Sequence, residues 1–214
     1  MDKDALCRMA LTHFAAGGVG AASLASIAAD AGVSMAAVAR VAASKDALFR
    51  LAVTRATRAL TVELQVIADS DSPPAERLLR MTRRIATPSG DEAAALFAVL
   101  RETLDGNARA EAAFEAALFD GFGTFVRVIG EAQFRGDIKP LPPRFLISVL
   151  LSGIVLPQLI GYGGAEGVLH GVHARDDHAR DDDVATPPRS ALLAASIEAV
   201  FNGIARAPIA VDSH

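Results

Sequence analysis

Between Ser23 and Lys45 the chain sets four hydroxyls and two cations close together in sequence, and their chemistry is that of binding. Arg40 can hold guanine O6 and N7 with both arms of its guanidinium, or simply a phosphate. Ser23, Ser34, Ser44 and Lys45 suit phosphate oxygens, helped by the helix starts on which the serines fall. Met35, Ala36 and Ala37 can meet thymine methyls but offer no side-chain hydrogen bond. Reaction chemistry is not set up in the same way. Of the five histidines, His170, His173 and His178 share one polar segment, His214 is terminal and His13 stands alone. No Ser or Cys has a visible base partner, and no glycine-rich phosphate loop occurs. The expectation is a non-enzyme with no cofactor. His170, His173 and His178 with Asp176 and Asp177 have metal-ligand chemistry. A solvated charged loop explains them better, because no pair has a rigid scaffold, so no metal site is assigned.

The elements that must position the hydroxyls and cations are short helices. Ile27, Ala28, Ala31, Val33, Val38 and Val41 recur where two crossing helices pack. Gly32 falls where a turn needs positive φ, and Ser34 follows as an N-cap. This is helix-turn-helix spacing. Before it, Leu6, Met9, Ala10 and Phe14 give a first helix an apolar face, which Gly17-Gly18 is expected to end. Ser23 caps the second helix. The third covers about 35–42. Ser44 caps a long fourth helix to about residue 68, broken by Asp69 to Pro74. Further helices are expected at about 75–87, 91–104, 108–135, 144–160 with a kink at Pro157, and 189–205. Segment 163–188, rich in Gly, Asp and His, reads as a mobile loop.

The chain has 214 residues, of which 51% are hydrophobic and 21% charged. It can bury a sizeable core, and Ala-rich stretches without β-branched alternation point to an all-α protein. The net charge of −4 is unusual for a nucleic-acid binder, yet binding follows the local field. Residues 1–55 carry Lys3, Arg8, Arg40, Lys45, Arg50 and Arg55 against Asp2, Asp4, Asp30 and Asp46, a slight positive excess. Cys7 is the only cysteine, which excludes an intramolecular disulfide and suits a reducing cytoplasm. The first ten residues lack an apolar signal core. Phe145 to Ala165 has the length of a membrane span, but its Ser, Pro, Gln and Gly residues favour a buried helix of a bundle.

Residues 6–53, LCRMALTHFAAGGVGAASLASIAADAGVSMAAVARVAASKDALFRLAV, resemble the DNA-binding domain of TetR-family transcriptional regulators. The likeness runs through Ala10-Leu11, Phe14, Gly18, Ser23-Leu24, Ile27-Ala28, Ala31-Gly32-Val33-Ser34 and Ser44 to Leu48. Gly136-Asp137-Ile138 before a proline-rich turn is a later echo. The resemblance implies a helix-turn-helix head (1–50) and a helical ligand-binding and dimerisation domain (51–214). It implies a dimer whose two heads grip an operator until a ligand re-spaces them. One departure stands out: where the family has a basic residue, a Gly and an aromatic-rich stretch, this chain has Met35 to Ala43 with Arg40 alone charged.

In the C-terminal body, Phe97, Leu100, Leu104, Phe122 and Phe125, with Arg101, Ser152 and Gln158, are candidates to line a pocket for a hydrophobic small molecule. The helix after Pro143 is apolar on every side, so one face is expected to meet a partner. Phe145 and Val149, with Ile197, Val200 and Phe201 of the last helix, are the candidate dimer interface. The function expected is a ligand-responsive, cytoplasmic repressor binding a palindromic double-stranded operator as a homodimer. The alternative is a TetR-like protein that has lost its operator and acts as a small-molecule or protein-binding module.

Overall fold

The computed structural model describes residues 2–104, 123–155 and 189–206. Among these residues the ordered elements are helices: α1 (Lys3–Ala21), α2 (Leu24–Asp30), α3 (Met35–Val41), α4 (Lys45–Ala68), α5 (Pro74–Ala86), α6 (Gly90–Leu104), α7 (123–135), α8 (Pro143–Leu150) and α9 (Arg189–Ile204). One isolated antiparallel bridge joins Ile138 to Ala205. By packing, the chain divides into two compact units, Met1–Val66 with Pro88–Thr124, and Ile67–Thr87 with Phe125–His214. The 1–50 and 51–214 division is one of expected role rather than of packing, and it stands as a proposal.

In the first unit the apolar stripe of α1 is the seed of the core. Leu6, Ala10, Leu11 and Phe14 are buried together with Ile27, Val38, Leu48, Phe49, Ala52 and, from α6, Ala95, Ala98 and Val99. Phe14 and Phe49 meet edge to face at 5.3 Å, a favoured geometry for two aromatic quadrupoles. The expected caps are in place. The Oγ of Ser23 accepts from Ser26 N–H at 3.4 Å, that of Ser34 from Ala37 N–H at 3.2 Å, and that of Ser44 from Ala47 N–H at 3.1 Å. Each satisfies one N–H that a helix start leaves unpaired. Gly32 has φ 65°, as the turn requires.

Gly17-Gly18 does not end α1. The helix is interrupted at Gly18, with φ 77° and ψ 165°, and resumes to Ala21. That backbone region is open essentially to glycine alone. Two side chains from α6 hold the interruption. Arg101 donates to the carbonyls of Ala15 and Ala16 at 3.4 and 3.0 Å, and buried Glu102 accepts from Val19 N–H at 2.6 Å. A guanidinium thus caps the carbonyls left by the first segment, and a carboxylate caps an N–H that opens the second.

In the second unit α9 packs on α5, α8 and a π-helical turn, Leu151–Val155, that continues α8. Gly153 is required there, because a Cβ on it would stand 2.7 Å from Val200 Cγ2. The expected kink at Pro157 lies outside the described residues, as do 108–122 of the helix expected at 108–135 and the loop 163–188. Gly136, with φ 81°, ends α7, and the following loop is stitched to the end of α9. Lys139 N–H donates to Ile204 O at 2.9 Å, Arg206 N–H to Asp137 O at 3.2 Å, and Lys139 Nζ to Gly203 O at 2.6 Å. On α5, the nearly buried Arg77 donates to Ala68 O at 2.6 Å and pairs with Glu131. That pairing holds the Glu131 carboxyl below its ordinary range, with Arg127 adding to the effect.

Candidate nucleic-acid interface

Helices α2 and α3 are bent 106° from one another, within the range of helix-turn-helix pairs. Ile27, Ala28, Ala37 and Val38 are buried between them and the rest of the head, while Ser34, Met35, Ala36, Ala39 and Arg40 are exposed. The local cause is periodicity. Small and apolar residues three and four apart turn one side of each short helix inward, leaving the other side free.

The expected contact residues separate into four groups. Met35, Ala36 and Arg40 lie on the exposed face, and among the described residues nothing pairs with Arg40. Ser23, Ser34 and Ser44 are exposed but serve as caps, so each Oγ already accepts one backbone N–H. Ala37 is a correction: it is 6% exposed, because it falls one residue past the outward pair and turns into the core. Lys45 also has a different task. Its Nζ donates to the carbonyls of Gly20 and Ala22, both at 2.8 Å, closing the end of α1 onto the start of α4.

Ion pairing inside the head leaves its net positive excess unchanged but reduces the number of free cations. Arg55 pairs with Asp4, and Arg8 lies 3.9 Å from Asp2. His13 Nε2 meets Asp30 Oδ2 at 2.7 Å, tying α1 to α2. Lys3, Arg40 and Arg50 remain exposed and unpaired among the described residues. Sequence reasoning missed the Lys45, His13–Asp30 and Arg101–Glu102 contacts. The doubled glycine at 17–18 was the one local sign that α1 needed outside support.

The remaining candidates lie elsewhere. Phe97 and Leu100 are half-buried on α6, and Arg101 of the expected pocket is spent on α1 carbonyls. Phe125 is buried in the second unit, and exposed Ser152 bonds back to Val149 O at 3.4 Å. The side chain of Leu104, and Phe122 and Gln158 altogether, fall outside the described residues. The second unit has an open cleft of about 400 Å³, lined by Ser70, Asp71, Arg77, Glu131, Phe134 and Arg135 among others, and it contains none of the expected pocket residues. On the proposed dimer face Phe145 is exposed, and Val149 and Val200 are half-buried. Ile197 and Phe201 are corrections: at 1% and 0% exposure they fill the chain's own core and have no surface left for a partner. Cys7 is buried, which pushes its thiol pKa up. Among the described residues no group of His, Cys, Asp and Glu is arranged to hold a metal. Nor is any single helix there long and apolar enough to cross a membrane.

Scans against protein-family models and against curated proteins find no match by sequence. Solved structures do match. A bacterial regulatory protein of the TetR family from Rhodococcus RHA1 superposes with TM-score 0.67 at 17% identity, covering 97% of this chain and 99% of its own. A Clostridium perfringens protein, named as a candidate regulator of fatty acid metabolism, gives 0.71 at 16% identity, covering 97% and 100%. A candidate transcriptional regulator from Saccharomonospora viridis, solved with choline, gives 0.57 at 18% identity, covering 82% and 95%. The chain therefore has the all-α fold of TetR-family transcriptional regulators.

Proposed function

We propose that this chain is a TetR-family transcriptional regulator. In this reading it binds a palindromic operator as a homodimer, acts as a repressor in the cytoplasm and responds to a hydrophobic small molecule. The observation that carries the reading is the 106° helix pair whose second helix turns Met35, Ala36, Ala39 and Arg40 to solvent, Arg40 having no partner among the described residues. A recognition helix enters the major groove with such a face. Exposed Phe145 (52%) and Leu192 (43%) on α8 and α9 support a dimer, since large apolar side chains in water mark partner surfaces. Response to a ligand is supported by α6. It shares a core with α1 and holds the Gly18 interruption, so any ligand that shifts α6 also shifts the helix on which the head is built. The choline-bound neighbour is a precedent for a small molecule in this fold.

Selection of bound duplexes from a random pool tests the reading. An enriched palindrome is expected, with half-sites about 34–36 Å apart and affinity falling linearly in log–log form with salt. Absence of any enriched sequence would overturn it. A second reading, a TetR-like protein without an operator that binds a small molecule or protein, is favoured by one observation: the outward face of α3 has a single strong hydrogen-bonding side chain. The same selection separates the two.

A further inference from the structure

Met35, Ala36, Ala39 and Arg40 form one outward stripe on α3, all exposed. Their spacing keeps them on one side of the helix. Only Arg40 is a strong hydrogen-bond donor, and the thioether of Met35 is the sole, weak acceptor. Reading adenine at N6 and N7 takes an amide, and reading cytosine at N4 takes a carboxylate. Neither group is on the stripe. What it offers instead is hydrocarbon: two methyls and a Met side chain that is 47% exposed.

A duplex fits this surface in two ways. Its charge complements Arg40, which has no partner among the described residues. Its major groove presents one hydrocarbon group on a base edge, the 5-methyl of thymine. The same methyl stands at the same place in 5-methylcytosine. The two pyrimidines differ there by an amino group in place of O4, a polar difference that the methyls of Ala36 and Ala39 have no group to detect and the Met35 thioether senses only weakly.

We infer that α3 recognises pyrimidine 5-methyl groups through Met35, Ala36 and Ala39, with Arg40 as its one polar base contact; the inference rests on the DNA-binding reading above. A binding site of this kind tells thymine from deoxyuridine, and accepts 5-methylcytosine where it rejects cytosine.

The test uses the full chain and the duplex enriched from a random pool. Each thymine is replaced in turn by deoxyuridine. At the positions under α3 the affinity falls about fourfold per methyl removed, the worth of one buried methylene-sized group. A 5-methylcytosine–guanine pair at those positions recovers most of the loss, and a cytosine–guanine pair does not. Met35→Ala, a change at an exposed site, cancels the deoxyuridine penalty at one position and leaves it at the others. If a sequence is enriched but no deoxyuridine replacement moves its affinity, methyl recognition is wrong and DNA binding stands. If nothing is enriched, the DNA-binding reading falls and takes this inference with it.

Discussion

Replacing Gly18 by alanine should destabilise the protein, while the same change two residues later should stabilise it. Gly18 has φ 77° and ψ 165°, and a non-glycine residue held there costs roughly 1–3 kcal/mol. An added Cβ would also stand 3.0 Å from Glu102 Oε1. That oxygen cannot withdraw freely, because it accepts from Val19 N–H at 2.6 Å. A hydrogen bond to a charged group contributes about 1.5–3 kcal/mol. Stiffening of the unfolded chain returns about 0.4–1 kcal/mol. The net loss is then about 2–5 kcal/mol, or roughly 5–20 °C in Tm for a chain of this size. At Gly20 the backbone is ordinary helix, and a Cβ meets nothing within 4 Å outside its own helix backbone. Gly20→Ala should therefore gain about 0.5–1 kcal/mol, a rise of roughly 1–4 °C. Thermal unfolding followed by far-ultraviolet circular dichroism measures both. A Gly18→Ala variant melting within about 1 °C of the parent would refute the reasoning.

Four further outcomes follow from single groups. Lys45→Met keeps the stem but removes the donor to the Gly20 and Ala22 carbonyls; stability should drop by about 0.5–1.5 kcal/mol in denaturant titration. The salt slope of DNA binding should stay unchanged, whereas loss of a true phosphate contact would lower it by about one. Glu131 has its pKa lowered by Arg77, so its stabilising effect is present above the ordinary glutamate range and is lost as pH falls through the lowered value. Acid unfolding of Glu131→Gln should accordingly show a shallower dependence on pH in that window, and an unchanged profile would count against the pairing. Phe145→Asp should convert a dimer to a monomer in sedimentation at micromolar concentration. Ile197→Ala, at a site buried in the chain, should cost about 2–5 kcal/mol of stability.

How far the sequence foretold the head depended on the range of each interaction. Ser23, Ser34 and Ser44 cap helices three residues on, and Gly32 turns between neighbouring elements, so local spacing was enough to find them. The same holds for the buried Ile27 and Val38, which helical period alone turns inward. Ala37 failed because one position, about a third of a turn, decides between groove and core, and Ala is equally at home in both. Arg101 and Glu102 failed for a different reason. Their partners, Ala15, Ala16 and Val19, are more than eighty residues away in sequence. All three groups bonded there are backbone atoms that look the same in every residue. Lys45, expected on phosphate, is likewise held by main-chain carbonyls.

These long-range contacts draw charge away from the surface. Lys45, Arg55, Arg77 and Arg101 are each held by carbonyls or carboxylates of the chain. The net charge of the N-terminal region is unchanged by these contacts, but fewer of its cations are free to reach a phosphate. With fewer free cations, nonspecific attraction to DNA weakens, because that attraction scales with the phosphates neutralised. A head of this kind leans more heavily on what it reads in the groove. The side chains facing outward there are hydrocarbon except at Arg40. Specificity would then come from methyl groups and one guanidinium, and its salt dependence would be correspondingly shallow.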